Sequence, residues 1–278
     1  MNVWFQEDDT SGLRFSYKVK DVLHSEKSEY QKIAVIDTEA YGRMLLLDDL
    51  VMCSEKDEFV YHEMIAHVPL FLHGNVKDVL VIGGGDGGTV RELVKHQDIT
   101  SVTLCEIDGR VVETSKKYFP KISSGYSDPR VKVSICDGVE FVATSANAVF
   151  DMVIVDSTDP IGPGEGLFTK EFYSNVARIL RPDGLMVCQS ESPWYEGEML
   201  KRISTNIKGG FSYLKPYLAA IPTYPRGYWS FTIGSNRLLD PREANFDPID
   251  NLGELHYLNS EVAVGSFALP NFYKNKLD

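Results

Sequence analysis

The stretch VLVIGGGDGGTVREL, residues 79–93, limits the possible folds of this chain more than any other segment. A β-branched run leads into clustered glycines and then into residues with helical spacing, the order in which a buried strand passes through a tight loop into a helix. Such loops usually bind phosphate. Asp86 lies in the middle of this one, where its negative charge would repel a pyrophosphate, so the sequence predicts a different ligand.

The same order of strand and helix repeats after residue 77. Strands are predicted at 79–82, 102–106, 131–136, 152–156 and 185–190, and helices are predicted to begin near Gly87, Gly109, Gly138, Lys170 and Tyr195. This alternation predicts an α/β fold with a doubly wound, mainly parallel sheet. Residues 157–168 contain too many glycines and prolines for a strand or a long helix, so we expect a loop there that serves as a lid.

The N-terminal part has a different pattern. Short alternating runs between residues 13 and 54, with turns at 40–42 and 48–49, predict a small antiparallel β-domain. A helical pattern follows and is expected to end near Pro69. We therefore divide the chain into an N-terminal antiparallel β-domain, 1–56, and an α/β domain, 57–278, whose last residues look irregular.

Composition excludes several classes of protein. The net charge of the 278 residues is −12 and no Lys/Arg cluster could follow a phosphate backbone, so nucleic acid is not an expected partner. No apolar run approaches the length of a membrane span and the first residues are polar, which favours a cytoplasmic protein.

The cysteine and histidine patterns suggest no metal site. The four cysteines form no CxxC pair and have no adjacent histidines, which favours buried thiols over disulfides or metal ligands. Five histidines are expected at the surface or the core edge without a partner, namely His24, His67, His73, His96 and His256.

Acidic residues follow each of the first four strands of the predicted parallel sheet. They are Asp86, Glu106, Asp137 and Asp156, with Asp159 three residues further on. Because ligands of open parallel sheets bind outside the carboxyl ends of the strands, these acids are expected to meet in one site.

Two of these acids suit an adenosine. Glu106 lies 20 residues after Asp86, where a carboxylate can accept hydrogen bonds from both ribose hydroxyls. Asp137 can accept from an adenine amino group, although an acid at the start of a helix can equally be an N-cap. Function explains the set of acids better than capping does.

The sign of the charge at Asp86 distinguishes between adenosine-containing ligands. A dinucleotide would bring phosphates to the loop, and S-adenosylmethionine would bring a carboxylate beside its ammonium. Decarboxylated S-adenosylmethionine carries adenosine, a sulfonium and a primary ammonium without any anion, so Asp86 can hold its aminopropyl amine.

With these features the chain resembles the polyamine aminopropyltransferases. The segments that carry the resemblance are HSEKSEYQ (24–31), LLLDDLVMCSEKDEFVYHEMIAHVPL (45–70), VLVIGGGDGGTVRE (79–92), LCEID (104–108), CDG (136–138), VIVDSTDPIGPGEGLF (153–168) and IPTYPRG (221–227). The resemblance implies a Rossmann-like, methyltransferase-type sheet, a homodimer or homotetramer, and no cofactor beyond the co-substrate. It also implies aminopropyl transfer from decarboxylated S-adenosylmethionine to putrescine, which gives spermidine and 5′-methylthioadenosine.

The resemblance also assigns roles to residues of this chain. The base would be Asp156. The donor would be bound by Gln31, Asp86, Glu106, Asp137, Gly138 and Pro163. The acceptor amine would be bound by Tyr61, His62, Asp86, Asp156, Asp159 and Tyr224.

The match to the family is incomplete at two positions, and other functions remain open. Asp49 and Met52 stand where the family often has Gly and Gln, and Met52 cannot form the hydrogen bonds of a Gln.

The acceptor could be agmatine, cadaverine or a triamine instead of putrescine. An S-adenosylmethionine-dependent amine N-methyltransferase and a non-catalytic binding protein are the alternative functions, and the retained acids argue against the latter.

Overall fold

The computed structural model describes residues 3–8, 12–158, 162–194 and 198–277, without the side chains of residues 162, 163 and 198. Within these ranges two sheets are present, a five-stranded antiparallel sheet followed by a seven-stranded mixed sheet. The predicted α/β fold class, with a small antiparallel sheet in front of a doubly wound one, is confirmed.

The N-terminal sheet is a simple meander in the order β1-β2-β3-β4-β5. Its strands are β1 (Val3–Asp8), β2 (Arg14–Lys27), β3 (Lys32–Thr38), β4 (Gly42–Leu47) and β5 (Leu50–Ser54). Asp48 and Asp49 connect β4 to β5 with φ values of 48° and 65°. Since Asp tolerates left-handed backbone, the turn forms without the usual glycine.

The second sheet has the order β11-β12-β10-β9-β6-β7-β8, in which β6 to β10 run parallel and β11 and β12 are antiparallel additions at one edge. Its strands are β6 (Asp78–Gly83), β7 (Ser101–Glu106), β8 (Val131–Ile135), β9 (Phe150–Asp156), β10 (Leu180–Gln189), β11 (Tyr213–Ala220) and β12 (Tyr228–Ser235). The chain order reverses between β6 and β9, which is where such sheets bind ligands.

Helices cover both faces of this sheet. They are α1 (Glu58–His73), α2 (Gly88–Leu93), α3 (Gly109–Tyr118), α4 (Gly138–Thr144), α5 (Lys170–Ile179), α6 (Glu198–Ile207), α7 (Ser260–Gly265) and α8 (Asn271–Leu277). Residues 162–168, predicted to be a loop, form a short 3₁₀-helix.

The expected end of the first helix near Pro69 is wrong. α1 continues to His73 and ends at Gly74, whose φ of 83° gives the left-handed cap and whose N–H donates to the carbonyl of Leu70. Leu70 and Leu72 are buried in the main core, and their burial offsets the hydrogen bond that Pro69 cannot donate.

The irregular C-terminal end is also corrected, because α7 and α8 form there. Asn259 caps α7 by accepting from the backbone N–H of Val262, and Tyr273 of α8 is fully buried against Leu200 and Leu218. Helices this short depend on tertiary packing rather than on a periodic apolar pattern.

The two sheets are joined by a shared apolar cluster. Ile33, Val35, Leu45 and Leu47 of the N-terminal sheet pack against residues 111, 119 and 122, in and after α3. This contact holds the N-terminal sheet over the carboxyl ends of the parallel strands and makes it one wall of the cavity described next.

Candidate active site

A cavity of about 320 Å³ lies at the carboxyl ends of the parallel strands, between the two sheets. The N-terminal sheet contributes Leu45, Leu47 and Met52 to its lining. The expected site residues that line it are Gln31, Tyr61, His62, Asp86, Glu106, Asp137, Gly138, Asp156 and Tyr224. The fold thus brings together side chains from seven separate parts of the sequence.

Asp156 ends β9 at the centre of the cavity. The hydroxyl of Tyr61 donates to its Oδ1 at 2.7 Å, and the hydroxyl of Thr89 donates to its Oδ2 at 2.7 Å. Burial, together with the nearby charge of Asp86, raises the pKa of Asp156 above its ordinary value. The group is therefore a stronger base than a solvated aspartate.

The glycines of the loop after β6 make room for these charged side chains. A Cβ on Gly84 would lie 2.8 Å from Asp156 Oδ2, and one on Gly85 would lie 2.9 Å from Glu106 Oε2. A Cβ on Gly88 would lie 2.2 Å from His62 Nδ1. The sequence predicted close approach of a ligand to this loop, and the structure adds a close approach of the protein's own side chains.

Asp86 is paired with a histidine. Its Oδ1 accepts from the backbone N–H of Gly88 at 2.7 Å and lies 3.2 Å from Nε2 of His62. Burial alone would raise the pKa of Asp86, but the charge and hydrogen bond of His62 bring it below its ordinary value. Both contacts engage Oδ1, so a ligand ammonium can donate to Oδ2.

His62 is held in turn by Glu58, whose Oε2 lies 2.5 Å from its Nδ1. Burial disfavours the imidazolium, but Asp86 and Glu58 on its two sides raise the pKa of His62 well above its ordinary value. Arg91 binds both oxygens of Glu58, at 2.7 and 2.9 Å. The charge of Asp86 is thus set by a buried chain of alternating charges.

The hydrogen-bonded chain extends to two more histidines. Arg91 also donates to Glu92, which lies 2.9 Å from His67 Nε2, and His67 Nδ1 is 2.8 Å from His96. His67 is completely buried. The expectation of unpartnered histidines is therefore wrong for His67 and His96, because the sequence does not show that α1 and α2 face each other.

The same expectation is also wrong for His24, whose Nε2 lies 3.2 Å from Glu26 Oε1, and for His73, whose Nδ1 accepts from the backbone N–H of Asn75 at 3.2 Å. His256 is exposed as expected, but its ring packs edge to face against Phe59.

Glu106, at the end of β7, forms the other end of the cavity. Burial raises its pKa to about 7, although the backbone N–H groups of Asp108 and Gly85 donate to it. Asp108 in turn accepts from the side chain of Gln31 at 3.0 Å. Asp108 therefore links Gln31 to Glu106, although the two residues are far apart in sequence.

Asp137 and Gly138 follow β8 at the same end. Asp137 caps α4, because its Oδ1 accepts from the backbone N–H of Val139 at 2.7 Å. The capping role weighed for Asp137 is therefore present, and its side chain also lines the cavity. Gly138 lies against Ile82, and a Cβ there would approach that side chain to 2.5 Å.

Tyr61 and Tyr224 line the end of the cavity opposite Glu106. Their rings meet edge to face with centroids 5.9 Å apart, and the Tyr224 hydroxyl donates to the carbonyl of Met52 at 2.7 Å. At Met52, the position that departs from the family pattern, the backbone therefore supplies a polar contact that the side chain cannot.

Two expected site residues cannot be placed by their side chains. Asp159 lies outside the described residues, and only the backbone of Pro163 is described, within the 3₁₀-helix. Three further residues that sequence reasoning missed are Thr89, Glu58 and Arg91. Their only signal in the sequence is position, since Thr89 directly follows the glycine loop, Arg91 lies two residues further on, and Glu58 lies one helical turn before His62.

In the described part of the chain, no group of three or more His, Cys, Asp or Glu side chains is arranged to hold a metal ion. Likewise, no described helix is long and apolar enough to cross a membrane.

Two family models match the chain. The spermine/spermidine synthase domain matches residues 58–245, and the spermidine synthase tetramerisation domain matches residues 3–55. Together they span both sheets and every residue that lines the cavity.

Similar proteins carry related names. A polyamine aminopropyltransferase of Thermoanaerobacter sp. (strain X514) is 49% identical over 278 residues, which is 100% of this chain and 99% of that protein. The crystal structure of a spermidine synthase in complex with the transition state analogue AdoDATO has a TM-score of 0.95 and 42% identity, over 99% of this chain and 94% of that one. The spermidine synthase of Thermotoga maritima has a TM-score of 0.92 and 40% identity over the same shares. The chain therefore belongs to the spermine/spermidine synthase family and is a polyamine aminopropyltransferase.

Proposed function

We propose that the protein transfers the aminopropyl group of decarboxylated S-adenosylmethionine to putrescine, giving spermidine and 5′-methylthioadenosine. This proposal rests on the opposite pKa shifts of two neighbouring aspartates, Asp86 and Asp156. The pKa of Asp86 is lowered, so it stays ionised, whereas that of Asp156 is raised towards a base. Two carboxylates with separated roles suit a reaction that must hold one amine as a cation and deprotonate another.

The donor is expected to bind with its adenosine at the Glu106 end of the cavity. Glu106 would accept from the ribose hydroxyls and Asp137 from the adenine amino group, with Gln31, Gly138 and Pro163 around them. Asp86 would accept from the aminopropyl ammonium. The carboxylate of S-adenosylmethionine would lie close to Asp86, and the two negative charges would repel each other. This repulsion disfavours S-adenosylmethionine as the donor and therefore also disfavours the alternative function of an N-methyltransferase.

The acceptor is expected to lie between Tyr61, Tyr224 and His62. Asp159, which the family resemblance also assigns to the acceptor, lies outside the described residues. Its near amine would attack the methylene next to the sulfonium in line with the leaving sulfur. An alkylamine with a pKa of about 10.4 transfers a proton to an aspartate with a pKa of about 3.9 at a cost of about 9 kcal/mol. The raised pKa of Asp156 narrows this gap. The loop expected to serve as a lid includes residues 159–161, which lie outside the described residues.

Asp156→Asn tests the assignment of the base. The variant is expected to lower kcat by about 10²–10⁴-fold with little change in the affinity for 5′-methylthioadenosine, because only proton transfer is lost. Turnover is measured by mass-resolved formation of spermidine, and affinity by calorimetry. The matched control is Asp98→Asn, an exposed residue. Near-normal turnover in Asp156→Asn would rule out this role.

Asp86→Asn is expected instead to weaken the decarboxylated donor in preference to 5′-methylthioadenosine, which lacks the ammonium. Equal affinities in the variant and the natural protein would contradict the proposed contact.

Competition among putrescine, cadaverine, agmatine and spermidine at saturating donor identifies the acceptor. A methylated amine formed from S-adenosylmethionine would overturn the reaction type.

We also propose a homo-oligomer that uses the N-terminal sheet, with the division between domains at residues 56 and 57. The match of residues 3–55 to a tetramerisation domain favours four copies. Exposed apolar side chains on this sheet, among them Trp4 and Val22, suit such a contact. The absence of a resident cofactor and the cytoplasmic location stay predictions.

A further inference from the structure

Two cysteines meet beside the donor end of the cavity. Cys105 is the second-last residue of β7, and Cys136 directly follows β8, 31 positions later in the sequence. Their sulfur atoms lie 2.7 Å apart. Both are free thiols, and a formed disulfide has an S–S distance of about 2.05 Å, so only a small movement separates the two states.

We propose that Cys105 and Cys136 are a redox modification site, and that their reversible disulfide weakens binding of the donor. The inference rests on the proposed donor position and adds a way of regulating it. The oxidant class is a peroxide, and a thiol reductant reverses the modification.

The position of the pair connects it to the donor contacts. Cys105 directly precedes Glu106, Cys136 directly precedes Asp137, and Cys105 itself lines the cavity. The backbone N–H of Cys136 donates to the carbonyl of Glu106 at 2.9 Å. A covalent bond between the sulfurs would therefore move two ligand-binding acids relative to each other, and small displacements of such groups weaken binding.

The two thiols differ in a way that orders the chemistry. Cys105 is 1% exposed, and burial raises the pKa of its thiol, whereas Cys136 is partly exposed. Cys136 is therefore the thiol that meets a peroxide in solution, and Cys105 is the thiol that resolves the product.

The reaction balances in two steps. The sulfur of Cys136 attacks hydrogen peroxide, the O–O bond breaks, and sulfenic acid and one water form. The sulfur of Cys105 then attacks the sulfenic sulfur, the S–O bond breaks, and the leaving hydroxide takes the thiol proton as a second water. The two sulfurs lose two electrons in total and the peroxide gains them.

The remaining cysteines offer a matched control. Cys53 and Cys188 are both buried, and the described contacts of the Cys188 sulfur are with Tyr173, Ser190 and Thr232 rather than with a cysteine. Cys188→Ser therefore removes a buried thiol and leaves the pair intact, whereas Cys136→Ser removes the pair without removing a side chain that lines the cavity.

The experiment exposes the natural protein, Cys136→Ser and Cys188→Ser to hydrogen peroxide. Disulfide formation is followed by intact mass and peptide mapping, and binding of 5′-methylthioadenosine by calorimetry. We expect the natural protein and Cys188→Ser to form the bond and lose about tenfold in affinity, with a matching rise in donor KM. The kcat at saturating donor should change little, because Asp156 lies on β9, two strands from β7. Dithiothreitol should restore affinity, and Cys136→Ser should not respond.

Thermodynamic linkage between ligand binding and reduction of the cysteine pair gives a second test. If the disulfide weakens the ligand tenfold, saturating 5′-methylthioadenosine stabilises the dithiol tenfold, which raises the reduction potential of the pair by about 30 mV. Redox titration with and without the ligand measures this.

Some outcomes would overturn the inference. It fails if no Cys105–Cys136 disulfide forms, if the bond forms and affinity is unchanged, or if peroxide weakens binding equally in Cys136→Ser. The proposed function would fail in a different way, through absence of aminopropyl transfer by the fully reduced protein.

Discussion

Individual charged residues in the cavity are held in states that cost the unliganded protein stability. Glu106 is the clearest case, because burial raises its pKa from 4.5 to about 7. The folded protein binds this proton more tightly than the unfolded chain does. Its free energy of unfolding therefore falls as the pH rises from about 4.5 to about 7, and above pH 7 the full cost is present.

Glu106→Gln is accordingly expected to stabilise the protein above pH 7 by on the order of 1–3 kcal/mol. The gain should shrink towards zero near pH 4.5, because Gln does not titrate. The same change should remove most affinity for 5′-methylthioadenosine. Denaturant unfolding between pH 5 and 8 measures the first effect and calorimetry the second. A constant difference in stability across this range would contradict the assignment.

Donor affinity of the natural protein should follow the same ionisation. In the proposed complex the ribose hydroxyls donate to the ionised carboxylate of Glu106, so the donor KM is expected to rise as the pH falls below about 7. The KM measured across this range in Glu106→Gln should be flat by comparison.

At the scale of elements, the glycine loop and α1 fit each other closely. Gly88→Ala would place a methyl group 2.2 Å from the His62 ring, which is buried and fixed between Glu58 and Asp86. We expect a loss of about 1–3 kcal/mol in the free energy of unfolding, together with weaker donor binding. Chemical denaturation measures the first effect.

Gly265→Ala is the matched control, since Gly265 is helical and no other atom would lie within 4 Å of the added Cβ. That variant should be neutral or gain about 0.5–1 kcal/mol. Equal stabilities for the two variants would show that the His62 contact does not limit position 88.

Some features of the site can be predicted from the sequence and others cannot, for physical reasons. The sequence predicts that Asp86, Glu106 and Asp156 meet at one edge, and the structure brings all three to one cavity. This could be predicted because buried parallel strands are easily recognised and their carboxyl ends must share one edge. Thr89 and Glu58 were missed because their partners, Asp156 and His62, come from other segments that meet only in the folded chain. The pairing of Cys105 with Cys136 was missed for the same reason, since adjacent strands do not show their relative register in sequence.

Helix propensity gave the wrong prediction at Pro69 and at the C-terminal end of the chain. Proline lowers helix propensity locally, but the buried residues of α1 on both sides of it keep the helix intact. α8 is stabilised by the burial of Tyr273, a contact with Leu200 and Leu218 that no local pattern contains.

At the scale of the whole molecule, association is expected to depend on the exposed face of the N-terminal sheet. Val22 on β2 is 58% exposed, and Val264 on α7 is 44% exposed. Val22→Lys is expected to shift the protein towards smaller assemblies at micromolar concentration, because a buried lysine in an interface is costly. Val264→Lys should leave the assembly unchanged. Light scattering with size exclusion compares them, and an unaltered mass for Val22→Lys would place the contact elsewhere.

The cavity wall formed by Leu45, Leu47 and Met52 has a consequence for how the molecule unfolds. A donor bound as proposed would touch both sheets at once, so unfolding of either sheet would release it. Ligand at 100 times its Kd adds about 2.7 kcal/mol to the stability of the state in which both are folded. Saturating donor should therefore raise the melting temperature of both sheets together, and calorimetry with and without the ligand measures this shift.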